Sequence, residues 1–284
     1  MRWVLITQKL APEDDFLGFM VRWVEVLAAR LDHLDVICQE QRTADLPPNV
    51  CAYSLGKERG ASRAAQALAL TRHLRALVPQ ADGVFCHMIP RYALFAAPWT
   101  RLYRKPLLLW YNHPHPAREL PLAAALATHI LSSGPGSFPL KTGKLRVMGQ
   151  GIDAAQFPPP QPEAVPPEIV MIGRLSRIKR QDWLLRAASL LAARPEMGPF
   201  HVRLIGGPVK GAPDYPAMLR ALAASLDPAP PVEFAGPLPY EQALAALAQS
   251  AIAVNLSPAG SFDKAALEPM VAGKPTIVTN PDLL

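Results

Sequence analysis

The sequence predicts an α/β fold made of two domains, and three observations support this prediction. Short runs rich in Val, Ile and Leu alternate with longer stretches in which apolar residues recur at helical spacing, as expected for strands and helices around a parallel sheet. The chain has 284 residues and is 50% hydrophobic, enough to bury a core in each domain. The segment PPPQPEAVPP at 158–167 will be extended and stiff. We therefore predict a first domain at 1–157, a linker at 158–167 and a second domain at 168–284.

The individual elements follow from the local patterns. Strands are predicted at 2–7, 34–39, 50–55, 83–87, 107–111, 130–132, 145–148, 168–172, 201–206, 232–235, 251–256 and 275–279. Helices are predicted at 16–30, 62–77, 92–104, 181–194, 215–226 and 240–250, with a further helix between Asp263 and Gly273. No sequence resembling G-x-G-x-x-G, the glycine motif of dinucleotide-binding domains, follows the first strand. Its absence argues against a nicotinamide dehydrogenase.

The positive charge is concentrated in the first half of the chain. The formal net charge is +6. Residues 1–160 hold 18 Lys and Arg against 12 Asp and Glu, whereas residues 161–284 hold 11 of each. A basic surface in the first half suggests an anionic partner there, either phospholipid headgroups or an acidic acceptor. The alternative is a solvated basic surface without a partner. We expect no nucleic-acid partner.

Two further features indicate the cellular setting. No apolar run approaches the roughly 20 residues needed to span a bilayer, and the N-terminus MRWVLITQKLAPEDD turns acidic where a signal peptide would need its cleavage site. We therefore expect a cytoplasmic protein, with peripheral contact at the inner face of the membrane if the basic half binds lipid. Cys38, Cys51 and Cys86 fall in strand-like apolar runs, which predicts buried thiols rather than disulfides or metal ligands.

The stretch from Ala251 to Thr279 has the pattern of a strand, a helix and a second strand. Asp263 can cap the helix, and Gly273 suits its C-terminal end. A helix N-terminus at the carboxyl edge of a parallel sheet suits a phosphate. Glu268 lies about one turn further in, where a carboxylate can accept hydrogen bonds from sugar hydroxyls. The stretch therefore predicts a ligand that carries both phosphate and hydroxyl groups.

The residues LEPMVAGKPTIVTN at 267–280 resemble the donor-binding segment of the retaining glycosyltransferases of family 4. That family has two glutamates separated by seven residues, and Glu268 matches the second. The sequence departs from the family at Gly260, which stands where the first glutamate is expected. Phe262 keeps the aromatic residue of the motif. The resemblance implies donor contacts from Glu268, Phe262 and Asp263.

The segment GRLSRIKRQDWLL after the strand at 168–172 carries a second resemblance. Family members have an arginine and a lysine at the spacing of Arg174 and Lys179. When the bond between the anomeric carbon and phosphate breaks, the leaving nucleoside diphosphate gains negative charge. Fixed cations aimed at that phosphate lower the barrier. A solvated basic face is the alternative interpretation of this cluster, which also includes Arg177 and Arg180.

Weaker resemblances extend along the chain. His113 follows a predicted strand, and in the family a histidine there lies beside the donor sugar. Gly18 matches a glycine that lets backbone approach the donor phosphates, although a glycine that packs a helix is the alternative. Gly207 resembles the family's glycine and proline turn. The segment from Gly149 to Phe157 is similar to the one at the domain boundary.

The resemblance implies the GT-B architecture, in which two Rossmann-like domains with parallel sheets face each other across a cleft. The second domain is expected to be incomplete, because family members continue beyond the equivalent of Leu284. The implied reaction moves a sugar from a nucleoside-diphosphate sugar to a lipid-linked or polysaccharide acceptor with retention of configuration. No metal cofactor is expected, because the sequence has no Asp-x-Asp and because Arg174, Lys179 and the helix N-terminus near Lys264 can neutralise the diphosphate.

Three other functions remain open on the sequence. The early terminus and Gly260 are compatible with a truncated domain that binds nucleotide without turnover. A GT-B isomerase such as a sugar-nucleotide epimerase would use the same donor site. A metal hydrolase built on His113 and His115 is the third, but no further cluster with ligand spacing accompanies these histidines.

Overall fold

The computed structural model describes residues 1–14, 17–42, 45–159, 161–209, 211, 213–258 and 263–283. The chain forms two compact units, Met1–Met148 and Gly149–Leu284. The proline-rich segment at 158–167 falls within the range of the second unit. No helix in the described ranges is both long enough and apolar enough to cross a bilayer.

The first unit is built on a parallel sheet of seven strands. The strands are β1 (Arg2–Leu10), β2 (His33–Gln41), β3 (Val50–Ser54), β4 (Gly83–His87), β5 (Leu107–Trp110), β6 (His129–Ser132) and β7 (Leu145–Val147). They pair in the order β3-β2-β1-β4-β5-β6-β7. The helices are α1 (Phe19–Ala28), α2 (Arg63–Leu77), α3 (Pro90–Leu102) and α4 (Leu120–Leu126).

Both faces of this sheet are buried, which explains the continuous apolar runs of its strands. Val4 and Ile6 of β1 join one core cluster. Leu5, which points to the other face of the strand, joins a separate cluster with Met20 and Val24 of α1. One strand therefore supplies side chains to two cores, one on each side of the sheet.

The second unit has a parallel sheet of five strands. These are β8 (Glu168–Ile172), β9 (His201–Ile205), β10 (Val232–Gly236), β11 (Ile252–Asn255) and β12 (Thr276–Val278), in the order β10-β9-β8-β11-β12. The helices are α5 (Gln181–Ala192), α6 (Tyr215–Ser225), α7 (Tyr240–Gln249) and α8 (Lys264–Val271). Two apolar clusters again lie on its faces, one with α5 and α6 and the other with α7.

The strand orders locate the ligand crevices of the two sheets. The direction of strand addition reverses between β1 and β4 in the first unit and between β8 and β11 in the second. Open parallel sheets bind ligands beyond the carboxyl ends of the strands at such a reversal. In the second unit, the loops that follow β8 and β11 are the two segments whose residues the sequence motifs single out.

The predicted α/β class with two parallel sheets is confirmed. Helix α4 is missing from the sequence prediction, because its seven residues are too few to show a helical period. The prediction that all three cysteines are buried is wrong for Cys51, whereas Cys38 and Cys86 are buried. Cys51 lies on β3, which is an edge strand of its sheet and leaves the thiol exposed.

Candidate functional site

Charged side chains meet at the reversal point of the second sheet. A short 3-10 turn, Arg177–Lys179, follows β8, and the chain after β11 leads into α8. The Nζ atom of Lys179 contacts the Oδ2 atom of Asp263 in a salt bridge, and it donates a hydrogen bond to the Oγ atom of Ser257 at 3.2 Å. The fold thus joins two segments that are about 80 residues apart in sequence at the edge where a ligand is expected.

We call Lys179, Asp263, Ser257 and Asn255 the Lys179 cluster, and Asp263 is its centre. Its Oδ2 atom also accepts hydrogen bonds from Asn255 and Ser257, each at 3.1 Å, and its Oδ1 atom accepts from the backbone N–H of Ala265 at 3.3 Å as the N-cap of α8. Burial by itself raises the pKa of Asp263. The Lys179 ammonium and the hydrogen bonds from Lys179, Asn255 and Ser257 outweigh burial, so the pKa lies below its usual value.

This arrangement fixes the position of the Lys179 ammonium group. The lysine side chain is 13% exposed. An ammonium group has three N–H donors, and its contacts within the described residues, to Asp263 and Ser257, use two. The third is available to a ligand oxygen at the sheet edge. The carboxylate of Asp263 would repel a phosphate, so its position indicates that it orients Lys179 and the first turn of α8.

Arg174 lies on the same loop as Lys179, directly after β8, and its side chain is exposed. The backbone holds this part of the loop in place: the carbonyl of Arg174 accepts from Nε2 of Gln181 at 3.0 Å, and the N–H of Leu175 donates to the carbonyl of Gly207 at 2.8 Å. Arg174 and Lys179 therefore leave the same strand end, as the sequence predicts.

Gly207 is in the loop after β9, but the glycine on which the packing depends is its neighbour Gly206. A Cβ atom on Gly206 would overlap the carbonyl group of Gly173. The φ angle of Gly206 is 146°, which side chains rarely adopt. A Cβ on Gly207 would make only ordinary contacts with Pro237, at 3.5 Å or more. The sequence motif singled out Gly207, whereas the close approach of the loops requires Gly206.

Glu268 and Lys264 lie on α8, one turn apart. The Glu268 side chain is partly buried, and burial raises its pKa above the usual value, against the opposing effects of the Tyr240 hydrogen bond and the Lys264 charge. Burial lowers the pKa of Lys264, and the Glu268 carboxyl opposes this shift. The two side chains therefore form a half-buried acid and base pair beside the Lys179 cluster.

Tyr240, at the start of α7, is a site residue that the sequence analysis missed. Its hydroxyl donates to the Oε1 atom of Glu268 at 3.1 Å, although the residue is 48% exposed. Burial and the Glu268 carboxylate raise the pKa of the phenol. Only its place after the β10 strand could have indicated a role, because a tyrosine 28 residues before the glutamate forms no motif by itself.

His113 follows β5 in the first unit and is exposed. Its backbone N–H donates to the carbonyl of Ser137 at 2.8 Å. The Nδ1 atom of His113 lies 3.1 Å from the backbone nitrogen of His115 and 3.2 Å from its carbonyl oxygen. The turn HPHP is thus stabilised by its own hydrogen bonds. The role of His113 beside a donor sugar stays a prediction.

Gly18 stands directly before α1 and packs against the preceding loop. Its N–H donates to the carbonyl of Asp14 at 2.9 Å. A Cβ atom at this position would lie 2.6 Å from the carbonyl oxygen of Pro12 and 2.8 Å from that of Asp14. Loop packing therefore requires a glycine here, and an approach to donor phosphates stays a prediction. Gly260 and Phe262 lie outside the described residues.

Side chains with the spacing of metal ligands lie in the first unit, away from His113. Within the described ranges, the group of His, Cys, Asp or Glu with ligand spacing is His33, Asp35 and Cys51, whose ligand atoms lie within 4.8 Å of one another. The Oδ2 atom of Asp35 is already paired with the Arg2 guanidinium at 2.8 Å, a cation that disfavours a second one. The group lies where β2 and β3 begin, away from the carboxyl edge. His113 and His115 are not part of it.

Comparison with known proteins identifies a matching family and several relatives. Residues 166–282 match the family described as glycosyl transferases group 1. The D-inositol 3-phosphate glycosyltransferase of Acidothermus cellulolyticus is 30% identical over 145 residues, which cover 47% of this chain and 32% of that protein. The enzyme of the same name from Corynebacterium urealyticum is 37% identical over 113 residues, covering 39% and 26%. The chain spans about a third of the length of the curated relatives that it matches.

Solved structures resemble the whole chain. Anabaena HepE in complex with UDP has a TM-score of 0.70 and 15% identity, covering 100% of this chain and 82% of that one. Sucrose-phosphate synthase from Thermosynechococcus elongatus has a TM-score of 0.66 and 15% identity, covering 98% and 80%. WaaG, a glycosyltransferase involved in lipopolysaccharide biosynthesis, has a TM-score of 0.62 and 14% identity, covering 97% and 80%.

The strand orders, the two parallel sheets and these structural neighbours define a protein of the GT-B fold. Within its second unit, residues 166–282 match the family described as glycosyl transferases group 1. The predicted fold is therefore confirmed, and the motifs at Arg174, Lys179 and Glu268 all lie within the segment that matches this family.

Proposed function

We propose that the protein is a glycosyltransferase that moves a sugar from a nucleoside-diphosphate sugar to a glycan or lipid-linked acceptor with retention of configuration. The observation that carries the proposal is the Lys179 cluster, which sets a fixed cation and the N-terminus of α8 at the reversal point of the second sheet. The match to glycosyl transferases group 1 covers all of these residues. We place the reaction in the cytoplasm.

Lys179 and Arg174 are the proposed ligands of the donor diphosphate. When the sugar leaves, negative charge accumulates on the β-phosphate, and cations that are already in position stabilise it without reorganisation. Asp263 and Ser257 hold the Lys179 ammonium before the donor arrives. The chemistry uses no metal ion in this proposal.

Glu268 is the proposed ligand of the donor ribose. Its carboxylate accepts one hydrogen bond from Tyr240 and has lone pairs left for ribose hydroxyls. Lys264, one turn before it on α8, limits the electrostatic cost of this half-buried carboxylate near a diphosphate. HepE, one of the structural neighbours, has been solved with UDP and with UDP-glucose, which makes uridine diphosphate the first ligand to test.

The test measures the melting temperature of the chain while each of a panel of nucleoside diphosphates is titrated into it. A ligand that binds only the folded state raises the melting temperature. We expect one nucleoside diphosphate to stabilise the wild-type chain and Lys179→Gln to lose most of this effect. In a transfer assay with the matching sugar donor, Lys179→Gln should lower turnover by about 100- to 1000-fold.

The matched control is Lys274→Gln, since Lys274 lies in the same unit but just before β12, at the opposite end of the sheet. This variant should bind like the wild type. If no nucleoside diphosphate stabilises the chain, or if Lys179→Gln transfers sugar as fast as the wild type, the proposal is wrong. Binding without any release of nucleoside diphosphate from a sugar donor would favour the non-catalytic alternative.

A further inference from the structure

A groove between α5 and α6 in the second unit lies outside the proposed donor site. It is an open cavity of about 430 Å³ on the surface of the unit. We call it the α5–α6 groove, defined by Arg177, Arg180, Trp183, Arg186, Tyr215 and Met218. Its lining combines three guanidinium groups with aromatic and sulfur-containing side chains.

The positive charge of this groove is only partly compensated by the described residues of its lining. Asp182 is the acidic residue of the lining, and its Oδ1 atom accepts a hydrogen bond from the Tyr215 hydroxyl at 3.2 Å. None of the three arginines forms a salt bridge with another described residue. Because the guanidinium group stays charged at any physiological pH, the lining holds three cations against one carboxylate and is net positive.

Aromatic rings, rather than carboxylates, hold two of these arginines. The Cζ atom of Arg180 lies 4.5 Å from the ring centroid of Trp183, and that of Arg177 lies 5.6 Å from the ring centroid of Tyr215. The Arg177 guanidinium also contacts the sulfur of Met218 at 3.4 Å. Cation–π contacts orient a guanidinium without neutralising it, so the charge remains available to an anion.

Large apolar side chains on the same segments and on α6 are exposed to water. Leu190 is 71% exposed, Ile178 58%, Trp183 52% and Met218 45%. Trp183, Arg186 and Leu190 are spaced three and four residues apart and therefore share one face of α5. A surface on which exposed apolar groups cluster is usually an interaction site.

We propose that the α5–α6 groove and the exposed side chains beside it dock on an anionic phospholipid bilayer. Tryptophan and leucine side chains enter the boundary between headgroups and acyl chains. Guanidinium groups pair with lipid phosphates, often through two hydrogen bonds. An acidic protein segment would satisfy the arginines but leave Leu190 and Ile178 in water, whereas a bilayer takes up both kinds of side chain.

This surface goes beyond the proposed transfer reaction and does not depend on it. It also lies in the half of the chain without net charge, because residues 161–284 hold equal numbers of acidic and basic residues. The three arginines come from two sequence segments, the turn before α5 and α5 itself, which the fold gathers at one groove. The net charge of residues 161–284 therefore gives no indication of this arginine cluster.

The experiment measures sedimentation of the whole chain with vesicles of phosphatidylglycerol and phosphatidylcholine, and with vesicles of phosphatidylcholine alone. We expect binding to the anionic vesicles only. The test variant is Arg180→Gln with Arg186→Gln, which should weaken binding roughly 25-fold at low salt, from about fivefold for each cation near an anionic surface. Trp183→Ala should weaken binding at both low and high salt, because its contribution is apolar.

The matched control is Arg72→Gln with Arg75→Gln. Both residues are exposed on α2 in the basic first half of the chain, so the control makes the same change of charge on the other candidate surface. It should bind the anionic vesicles like the wild type. All variants change exposed or half-exposed side chains, and unchanged melting temperatures confirm that they fold.

Three results would overturn the proposal. One is that the α2 control weakens vesicle binding as much as the Arg180 and Arg186 variant does, which would show that binding depends on total charge. Another is the absence of binding to anionic vesicles in the wild type. The third is binding to polyglutamate, lost in the Arg180 and Arg186 variant, without binding to vesicles, which would assign the groove to an acidic protein partner.

Discussion

The most informative residue is Asp263, because one carboxylate performs two structural tasks. It caps α8 through the N–H of Ala265, and it fixes the ammonium of Lys179. Asn255 and Ser257 complete its hydrogen bonds. A buried charge is tolerated only when it is paired and hydrogen-bonded, and here the pairing also sets the position of the cation that we assign to the donor diphosphate.

Asp263→Asn is expected to lower the free energy of unfolding by about 1–3 kcal/mol at pH 7, because it leaves the largely buried Lys179 ammonium without a counter-charge. The pKa of Asp263 is lowered in the folded chain. Its contribution is therefore fully present above the usual aspartate value of about 3.9, and it is lost as the pH falls through the lower, folded value. Urea unfolding at a series of pH values measures this.

The control is Asp214→Asn. Asp214 also stands at the N-cap of a helix, α6, but it is exposed and its side chain makes no capping hydrogen bond. This variant should keep the wild-type stability at every pH. A stability gap between Asp263→Asn and the wild type that stays constant down to pH 2 would contradict the expected role of the lowered pKa.

At the scale of elements, the ends of β8 and β9 approach so closely that one position must be glycine. The N–H of Gly173 donates to the carbonyl of Ile205, and the N–H of Gly206 donates to that of Gly236, each at 2.8 Å. These bonds hold three strand ends together at the carboxyl edge of the sheet. The loop that carries Arg174 and Lys179 begins at this junction, so the backbone contact positions both side chains.

Gly206→Ala is expected to destabilise the chain by about 3 kcal/mol or more, since the methyl group would overlap the Gly173 carbonyl and the φ angle is unfavourable for alanine. Thermal unfolding measures the change. Gly273→Ala separates the two causes: its φ angle of 72° is also positive, but its Cβ position is open. It should cost about 1–2 kcal/mol. If the two variants lose the same free energy of unfolding, the overlap between the new methyl group and the Gly173 carbonyl costs nothing.

At the scale of the whole molecule, each unit has its own apolar clusters. Those around β1 and β4 belong to the first unit, and those around β8 and β9 belong to the second. All residues that we assign to the donor diphosphate and ribose lie in the second unit. Donor-dependent changes are therefore expected to appear first in that unit.

Hydrogen exchange in the presence of a binding nucleoside diphosphate should slow at 173–181, 255–258 and 263–268. Amides there are ordered or covered by the ligand, and exchange reports local opening. The Lys179→Gln variant should lose this protection at the same ligand concentration. Protection confined to other segments of the second unit would contradict the proposed site.

Residue patterns along the chain were enough to predict the fold class, most strands and helices, and the segments that carry Arg174, Lys179 and Glu268. Alternation of apolar runs and helical periods is a local property, and so are the motifs that resemble family 4. The caps were local too: Asp263 and Gly273 mark the two ends of α8, as the structure confirms.

Which side chains meet could be learned only from the folded chain. The contact between Lys179 and Asp263, the bond from Tyr240 to Glu268, the need for glycine at position 206 and the α5–α6 groove all join segments that are separated along the chain. Cys51 is exposed for the same reason, because strand order places β3 at an edge. Residue patterns encode local conformation, whereas contacts between strand ends depend on the order in which the strands pair.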